Sequence, residues 1–395
     1  MRVAHLITRM IVGGAQENTL FNCQDLIRIH GDEVLLVTGP SDGPEGKLLA
    51  GAGEGRGGEV PTRIVPEMRR AIVPWQDASC YFALKRVLRE FRPDVVHTHS
   101  AKAGFLGRLA AWSLKVPAIV HTVHGAPFHP YQNFAARGLF RGCEWYAARR
   151  CHGLISVADA MTELLVQAGV APREKFTTIY SGMDVDPFLR ADEHRQRVRR
   201  ELGFTDEHVV VGKIARLFHL KGHADVIRAA AEVIKTNPHV HFLFVGDGIL
   251  RDSLERQIAA AGLTSHFHFT GLVPPPRIPE LLGAMDLLVH ASLREGLARA
   301  LPQALIAGKP VVSYDVDGAR EVAITGQTGF LVPPEWQSLV EPLRTLAADA
   351  DLRRQLGQTG RERFADQFRH ETMTRRIREL YHRVLTENLL PTPGP

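Results

Sequence analysis

The chain has no run of about 20 apolar residues, so no membrane-spanning helix is read from it. Cysteine is scarce. Cys23, Cys80, Cys143 and Cys151 form no C-x-x-C pair, so reduced thiols in a cytoplasmic protein are expected rather than a disulfide framework. The opening MRVAHLITRMIVGG carries one apolar run of strand length, broken by His5 and Arg9. It lacks the long apolar core and small-residue cleavage site of a signal peptide. No strand-to-helix junction carries a G-x-G-x-x-G fingerprint, which disfavours a dinucleotide dehydrogenase, and the zinc-binding H-E-x-x-H is absent. The net charge of +5 is modest, and no nucleic-acid partner is expected. What is present is 395 residues with ordinary apolar content, 45%, too many for one core and suited to two domains.

Strand-like and helix-like segments alternate through the first half. Val3–Thr8, Glu33–Thr38, Val95–His99, Ala118–Val123, Leu154–Val157 and Thr177–Tyr180 read as strands, with amphipathic stretches such as Asp77–Glu90 and Lys102–Ser113 between them. A second series runs through Val209–Ala215, His241–Val245, His266–Thr270, Asp286–His290 and Pro310–Tyr314. Such alternation predicts two doubly wound parallel sheets. The expected domains are 1–187 and 188–361, followed by a polar helix over about 362–390. Pro40 to Gly58, rich in glycine, reads as a surface loop, and the Arg-rich run His194 to Arg200 as a solvated stretch. Arg137, Arg141, Arg149 and Arg150 surround Leu139, Phe140, Trp145 and Tyr146 in a helical stretch. Two readings stay open: a core-packed helix with a solvated basic face, or a basic amphipathic surface that meets anionic lipid.

The stretch Ser292 to Val312, SLREGLARALPQALIAGKPVV, is the most informative. An apolar run ends at Ser292, Glu295-Gly296-Leu297 follows, and a helical segment then carries Gln303. A carboxylate between a strand end and a helix N-terminus stands where an open α/β sheet binds ligands. In IARLFHLKG, Arg216 follows a strand and Lys221 precedes a helix, a placement that suits a diphosphate leaving group. Gly13-Gly14 opens a helix after the first strand, where backbone amides can approach a phosphate. Gly246-Asp247-Gly248 ends another strand. His97 and His99 share a strand face, with His121 and His124 at the end of the next strand. No carboxylate stands at ligand spacing to them, so no metal is expected. Asp184-x-Asp186 and Asp315-x-Asp317 are three-residue patterns of the kind chance supplies.

In this order, these segments resemble the retaining glycosyltransferases of family 4 (glycosyl transferases group 1), which have the GT-B fold. The resemblance spans about residues 1–335 and at least six motifs, with GMDVDPF, DVDGAREV and TGFLVPP among them. The family pattern has glutamate where Gln303 stands, a departure. The resemblance implies two Rossmann-like domains facing each other across a cleft, with the last helix returning to the first. It implies a nucleotide diphosphate sugar as donor, a UDP-sugar ahead of a GDP-sugar, and an acceptor hydroxyl on a glycan or lipid-linked molecule. Glu295, His124, Arg216 and Lys221 are the implied catalytic residues. Gly14, Gly246, Gly271, Gly296, Leu297 and Gln303 join Arg216, Lys221 and Glu295 in holding the donor, Gln303 at the ribose. His97, His99 and Lys102 are expected to line the acceptor side. No cofactor or metal is expected, since Arg216 and Lys221 replace a divalent ion. Polysaccharide, lipopolysaccharide or glycolipid synthesis is the expected setting, with peripheral contact at the inner face of the membrane. A sugar-nucleotide epimerase of the same architecture and a non-catalytic glycosyltransferase-like subunit are the alternatives.

Overall fold

The computed structural model describes residues 1–11, 13–41, 60–129 and 132–389, so the glycine-rich loop expected over Pro40 to Gly58 lies almost wholly outside the described residues. The chain divides into two compact units, Met1–Met183 with Arg369 onward, and Asp184–Phe368. The division falls at Met183/Asp184, a few residues before the expected 187.

Unit 1 alternates β1 (Arg2–Ile7), α1 (Gly14–Arg28), β2 (Glu33–Thr38), β3 (Thr62–Ile64), α2 (Pro74–Phe91), β4 (Val95–His99), α3 (Ala101–Ser113), β5 (Ala118–Val123), α4 (Phe134–Ala148), β6 (Gly153–Ser156), α5 (Asp159–Gln167) and β7 (Phe176–Thr178). Its seven strands form one parallel sheet in the order β3-β2-β1-β4-β5-β6-β7. Both faces are covered by helices, so the strands read as continuous apolar runs; Val3, Ala4, Leu6 and Ile7 of β1 are all fully buried. β3 was not anticipated. It is three exposed residues at the sheet edge, too short to carry a pattern.

Unit 2 begins with α6 (Asp186–Leu189) and α7 (Arg195–Glu201). It continues through β8 (Val209–Ile214), α8 (His223–Thr236), β9 (Val240–Val245), α9 (Arg251–Ala260), β10 (Phe267–Phe269), α10 (Arg277–Ala284), β11 (Leu287–His290), α11 (Ala300–Ile306), β12 (Val311–Tyr314), β13 (Gly329–Val332), α12 (Val340–Ala348) and α13 (Ala350–Phe364). Its six parallel strands run β10-β9-β8-β11-β12-β13. The core beneath them is built from Val211, Phe242, Phe244, Leu287, Val289 and Val312, with Val226, Ala230 and Val233 of α8 packed on one face.

The Arg-rich run is solvated only in part: Arg197 and Arg200 are exposed, but the arginines between and before them are not. Arg199 on α7 is buried: its Nη1 donates to Asp286 Oδ2 at 3.2 Å and its Nη2 to the carbonyls of Thr205 and His208 at 2.6 and 2.5 Å. Arg195 meets the other oxygen of Asp286 at 2.6 Å. These arginines fasten α7 to the start of β11. The expected final helix is also two elements. Arg361 to Phe364 end α13 in unit 2, while α14 (His370–Leu389) belongs to unit 1. There it buries Met373, Ile377, Leu380 and Tyr381 against α1 and the sheet, and Arg378 meets Asp32 at 2.9 Å.

Candidate functional site

In unit 2 the strand order reverses between β8 and β11, and the loops leaving the C-terminal ends of those strands stand side by side. That is where doubly wound sheets bind ligands. Gly222, the N-cap of α8, makes the close approach. Its φ is +66°, and a Cβ there would stand 1.9 Å from the Ala291 carbonyl oxygen, so only glycine fits. The Leu293 amide donates to the Leu220 carbonyl at 2.8 Å, which binds the two loops together. Lys221 consequently reaches across, and its ammonium donates to Glu295 Oε1. From the other side the loop after β12 holds the same segment. Asp317 Oδ2 accepts the Glu295 amide at 2.7 Å, and the Gly318 amide donates to the Gly296 carbonyl at 2.9 Å. Leu220 and Asp317 have φ values of +65° and +50°, uncommon for residues with a Cβ, and both flank this pair.

Burial alone would raise the Glu295 carboxyl, but the Lys221 ammonium, by its charge and its hydrogen bond, outweighs it and holds the group below its ordinary value. It is therefore a carboxylate at neutral pH. Arg216 leaves the end of β8 and lies exposed, its guanidinium 5.0 Å from the Phe218 ring centre. Gly246 and Gly271 form a bridge, amide to carbonyl at 3.1 Å. A Cβ on Gly246 would come 2.2 Å from the Ala215 carbonyl oxygen. Those glycines shape the floor beside Arg216. Gln303 lies on α11, which begins five residues beyond Glu295, and is partly buried, as are Gly296 and Leu297.

Sequence reasoning missed the layer under this pair. Lys213 on β8 is fully buried, and its ammonium nitrogen has no hydrogen-bond partner among the described residues. His223 at the start of α8 is buried with both ring nitrogens unpartnered, and His290 Nε2, also unpartnered, lies 3.9 Å from Glu295 Oε1. A lysine in the middle of the strand run VVVGKI was the available signal. Asp317, dismissed with its D-x-D pattern, is the residue that positions Glu295.

In unit 1 the order reverses between β1 and β4. Thr8 Oγ1 and Ser100 Oγ join their loops at 2.8 Å, and α1 opens at Gly14 just beyond. His97 and His99 do not line a surface. Both are fully buried, because the sheet interior lies between covering helices. His97 bonds Tyr381 of α14 at 2.5 Å and Thr122 at 2.7 Å. His5 Nδ1 meets His99 Nε2 at 3.0 Å, and His99 Nδ1 meets His124 Nε2 at 3.1 Å. Of this chain only His124 is partly exposed. Lys102 is likewise committed, donating to Asp77 and to the Ala71 carbonyl. His97 and His99 are therefore too deep to line an acceptor surface, and His124, expected among the catalytic residues, is the member of the histidine chain that reaches the surface. His5, His97 and His99 bring three ring nitrogens within 4.8 Å of one another, and His97 and His99 each place both nitrogens in hydrogen bonds.

Two family models match this chain. Residues 12–187 fit the model described as Glycosyltransferase Family 4, and residues 194–363 that of Glycosyl transferases group 1. The chain belongs to glycosyltransferase family 4. Among relatives, this glycosyltransferase is 29% identical over 68% of its length to an Escherichia coli UDP-Gal:alpha-D-GlcNAc-diphosphoundecaprenol alpha-1,3-galactosyltransferase, covering 70% of that protein. It is 29% identical to 2-deoxystreptamine glucosyltransferase of Streptomyces kanamyceticus, over 72% of its own chain and 76% of the other. A GDP-mannose-dependent alpha-mannosyltransferase of Mycobacterium tuberculosis matches at 28% over 80% and 79%. Among solved structures, Anabaena HepE in complex with UDP superposes with a TM-score of 0.82 at 23% identity, over 97% of this chain and all of that one. The fold is GT-B, with two parallel α/β sheets.

Proposed function

We propose that this glycosyltransferase moves a sugar, with retention, from a uridine diphosphate sugar to an acceptor hydroxyl on a glycan or lipid-linked molecule. The observation that carries the reading is the Lys221–Glu295 pair at the reversal point of the unit 2 sheet, with Arg216 exposed on the same loop as Lys221. One cation suits the departing diphosphate and one carboxylate suits the sugar hydroxyls. The anomeric carbon–phosphate oxygen bond breaks, the bond to the acceptor oxygen forms on the same face, and the acceptor proton leaves on the departing phosphate. Lys221, Arg216 and the first amides of α8 stabilise the charge that develops. Gln303 is assigned to the ribose hydroxyls and His124 to a substrate contact in unit 1. The relative whose name carries UDP-Gal, and the Anabaena neighbour with UDP, support uridine; the GDP-mannose-dependent relative makes guanosine the competitor.

The test is a thermal-shift panel of UDP- and GDP-sugars followed by transfer assays with chelator present. A ligand at 100 times its Kd adds about 2.7 kcal/mol of stability, and a UDP-sugar is expected to give the largest shift. Activity is expected to survive EDTA because Arg216 and Lys221 do the work of a divalent ion. Complete loss with EDTA, restored by manganese, would sink that reading.

The same proposal places the acceptor near an anionic membrane. On α4, Phe134 is 93% and Leu139 62% exposed, and on α2, Trp75 is 75% and Phe82 65% exposed. Both helices pack against α3. Arg149 and Arg150 lie over Trp145 and Tyr146 at 3.8 and 3.4 Å, a basic-aromatic surface suited to the headgroup region. Flotation with anionic vesicles should show binding that salt weakens, since screening sets in within about 8–10 Å. Equal flotation with neutral vesicles, or none with either, counts against it.

A further inference from the structure

A buried ammonium without a partner is costly, and proteins avoid it by neutralising the group or by bringing an anion to it. Lys213 is such a group, and its place in unit 2 is specific. It points from β8 into the layer beneath the Lys221–Glu295 pair, where its electrostatic neighbours are Lys221 and Glu295 from the loops, His223 and Asp225 from α8, and His290 from β11. On the neighbouring strand its register partner is Phe244, which carries no charge. Asp225 is already engaged, accepting from Tyr314 Oη at 3.0 Å. Among the described residues that leaves Glu295 as the carboxylate of this layer, and Lys221 is paired with it.

The two assigned roles conflict with that pairing. If Lys221 binds diphosphate, it must leave Glu295, and the carboxylate then loses its main counter-charge just as further negative charge arrives. We propose that Lys213 is an additional charged residue of the nucleotide-sugar site, which takes up a proton from solvent when Lys221 transfers to the diphosphate and so holds Glu295 ionised and in position. His290 Nε2 stands 3.9 Å from the same carboxylate oxygen, beyond hydrogen-bond reach. Lys213 is a positioning residue: it acts through Glu295 and does not touch the reacting atoms. In the free protein, burial pushes its ammonium down to about 7, with Lys221 adding to the effect and Glu295 and Asp225 opposing it. The amine is therefore largely neutral at pH 8 before ligand arrives. An anion raises it, so binding is linked to proton uptake above about pH 7, and affinity falls as pH rises, by at most tenfold per unit for a single proton. Below about pH 6 the amine is already charged, and the uptake disappears.

This inference rests on the proposed donor site. It is tested by calorimetry of UDP binding at pH 8 in two buffers of different ionisation enthalpy, repeated at pH 6. At pH 8 the diphosphate is itself fully ionised and contributes no protons. The parent protein is expected to take up a substantial fraction of one proton at pH 8; at pH 6, where the terminal phosphate of UDP (second pKa about 6) is itself partly protonated and loses protons on binding, the parent should exchange no more protons than Lys213→Met does. Lys213→Met keeps the volume, removes the titrating group, and should bind UDP without proton uptake at either pH. Binding by the parent at pH 8 with no proton uptake would overturn the inference while leaving the donor site intact; so would equal uptake by parent and Lys213→Met at that pH. Failure of the parent to bind UDP, GDP or their sugars would overturn the donor reading and this inference together. The parent measurement stands alone should the variant fail to fold.

Discussion

Glu295→Gln is expected to lower turnover by about 10²–10³-fold, the usual cost of removing one group that stabilises transition-state charge, while UDP binding stays near that of the parent. The substitution preserves the shape of the side chain. It leaves the backbone clamp in place, because Asp317 holds the Glu295 amide at 2.7 Å and the Gly318 amide holds the Gly296 carbonyl. What disappears is the negative charge that faces the sugar as positive charge grows at its anomeric carbon. Lys221 loses its partner and becomes more available to the diphosphate, so nucleotide affinity has no reason to fall. Lys221→Ala should behave differently and weaken both UDP binding and rate, since a charge-assisted bond to phosphate exists in the ground and transition states alike. Initial rates and calorimetry with UDP separate the two patterns. Near-normal turnover of Glu295→Gln would remove this residue from the mechanism.

Much of this site was legible because its residues sit at junctions that local chemistry specifies. The strand runs EVLLVT, VVHTH and AIVHTV match β2, β4 and β5 to the residue, since buried parallel strands are short, apolar and β-branched. Strand-end position singled out Arg216, Lys221 and Glu295, the family resemblance supplied their expected roles, and the fold brings the loops of Lys221 and Glu295 together. What the pattern hid was depth. His97 and His99 looked like residues converging on a surface because alternation gives the face of a strand but not what covers it, and α14 covers that face from a distance of 284 residues in sequence. Arg199 looked solvated because arginine usually is. Only the fold reveals that Asp286 and three carbonyls receive it. Lys213 was invisible for the same reason. A cation within an apolar run reads as a local exception until the layer it enters is known.

That same depth leads to an expected acid limit on stability. Burial holds His5 down to about 3, His223 to about 2 and His290 to about 3, and it places His97, His99 and His121 well below the ordinary histidine value of 6.5. These histidines are neutral in the folded protein and titrate at about 6.5 when the chain unfolds. Below that pH the unfolded state binds more protons than the folded one, so stability falls as pH falls through 6.5 and continues to fall toward the folded values. Each histidine removes up to about 1.4 kcal/mol per pH unit, so the four in unit 1 approach about 5 kcal/mol per unit and the two in unit 2 about 3, each set against a stability of about 5–15 kcal/mol for an ordinary domain. The expected result is cooperative loss of structure near pH 5. Carboxylates are not the cause in that window. Asp32, Asp286 and Glu295 are held below their ordinary values by their cationic partners, so their contribution is lost only at more acidic pH. Circular dichroism across pH 7 to 3, beside the same titration of His223→Leu, provides the check. His223 makes no hydrogen bond and packs edge-on to Phe244 at 5.3 Å, so leucine removes one titrating group without orphaning a partner. The variant should unfold at lower pH than the parent. A parent that stays folded below pH 4, or a transition that His223→Leu leaves in place, would show that these imidazoles do not set the acid limit.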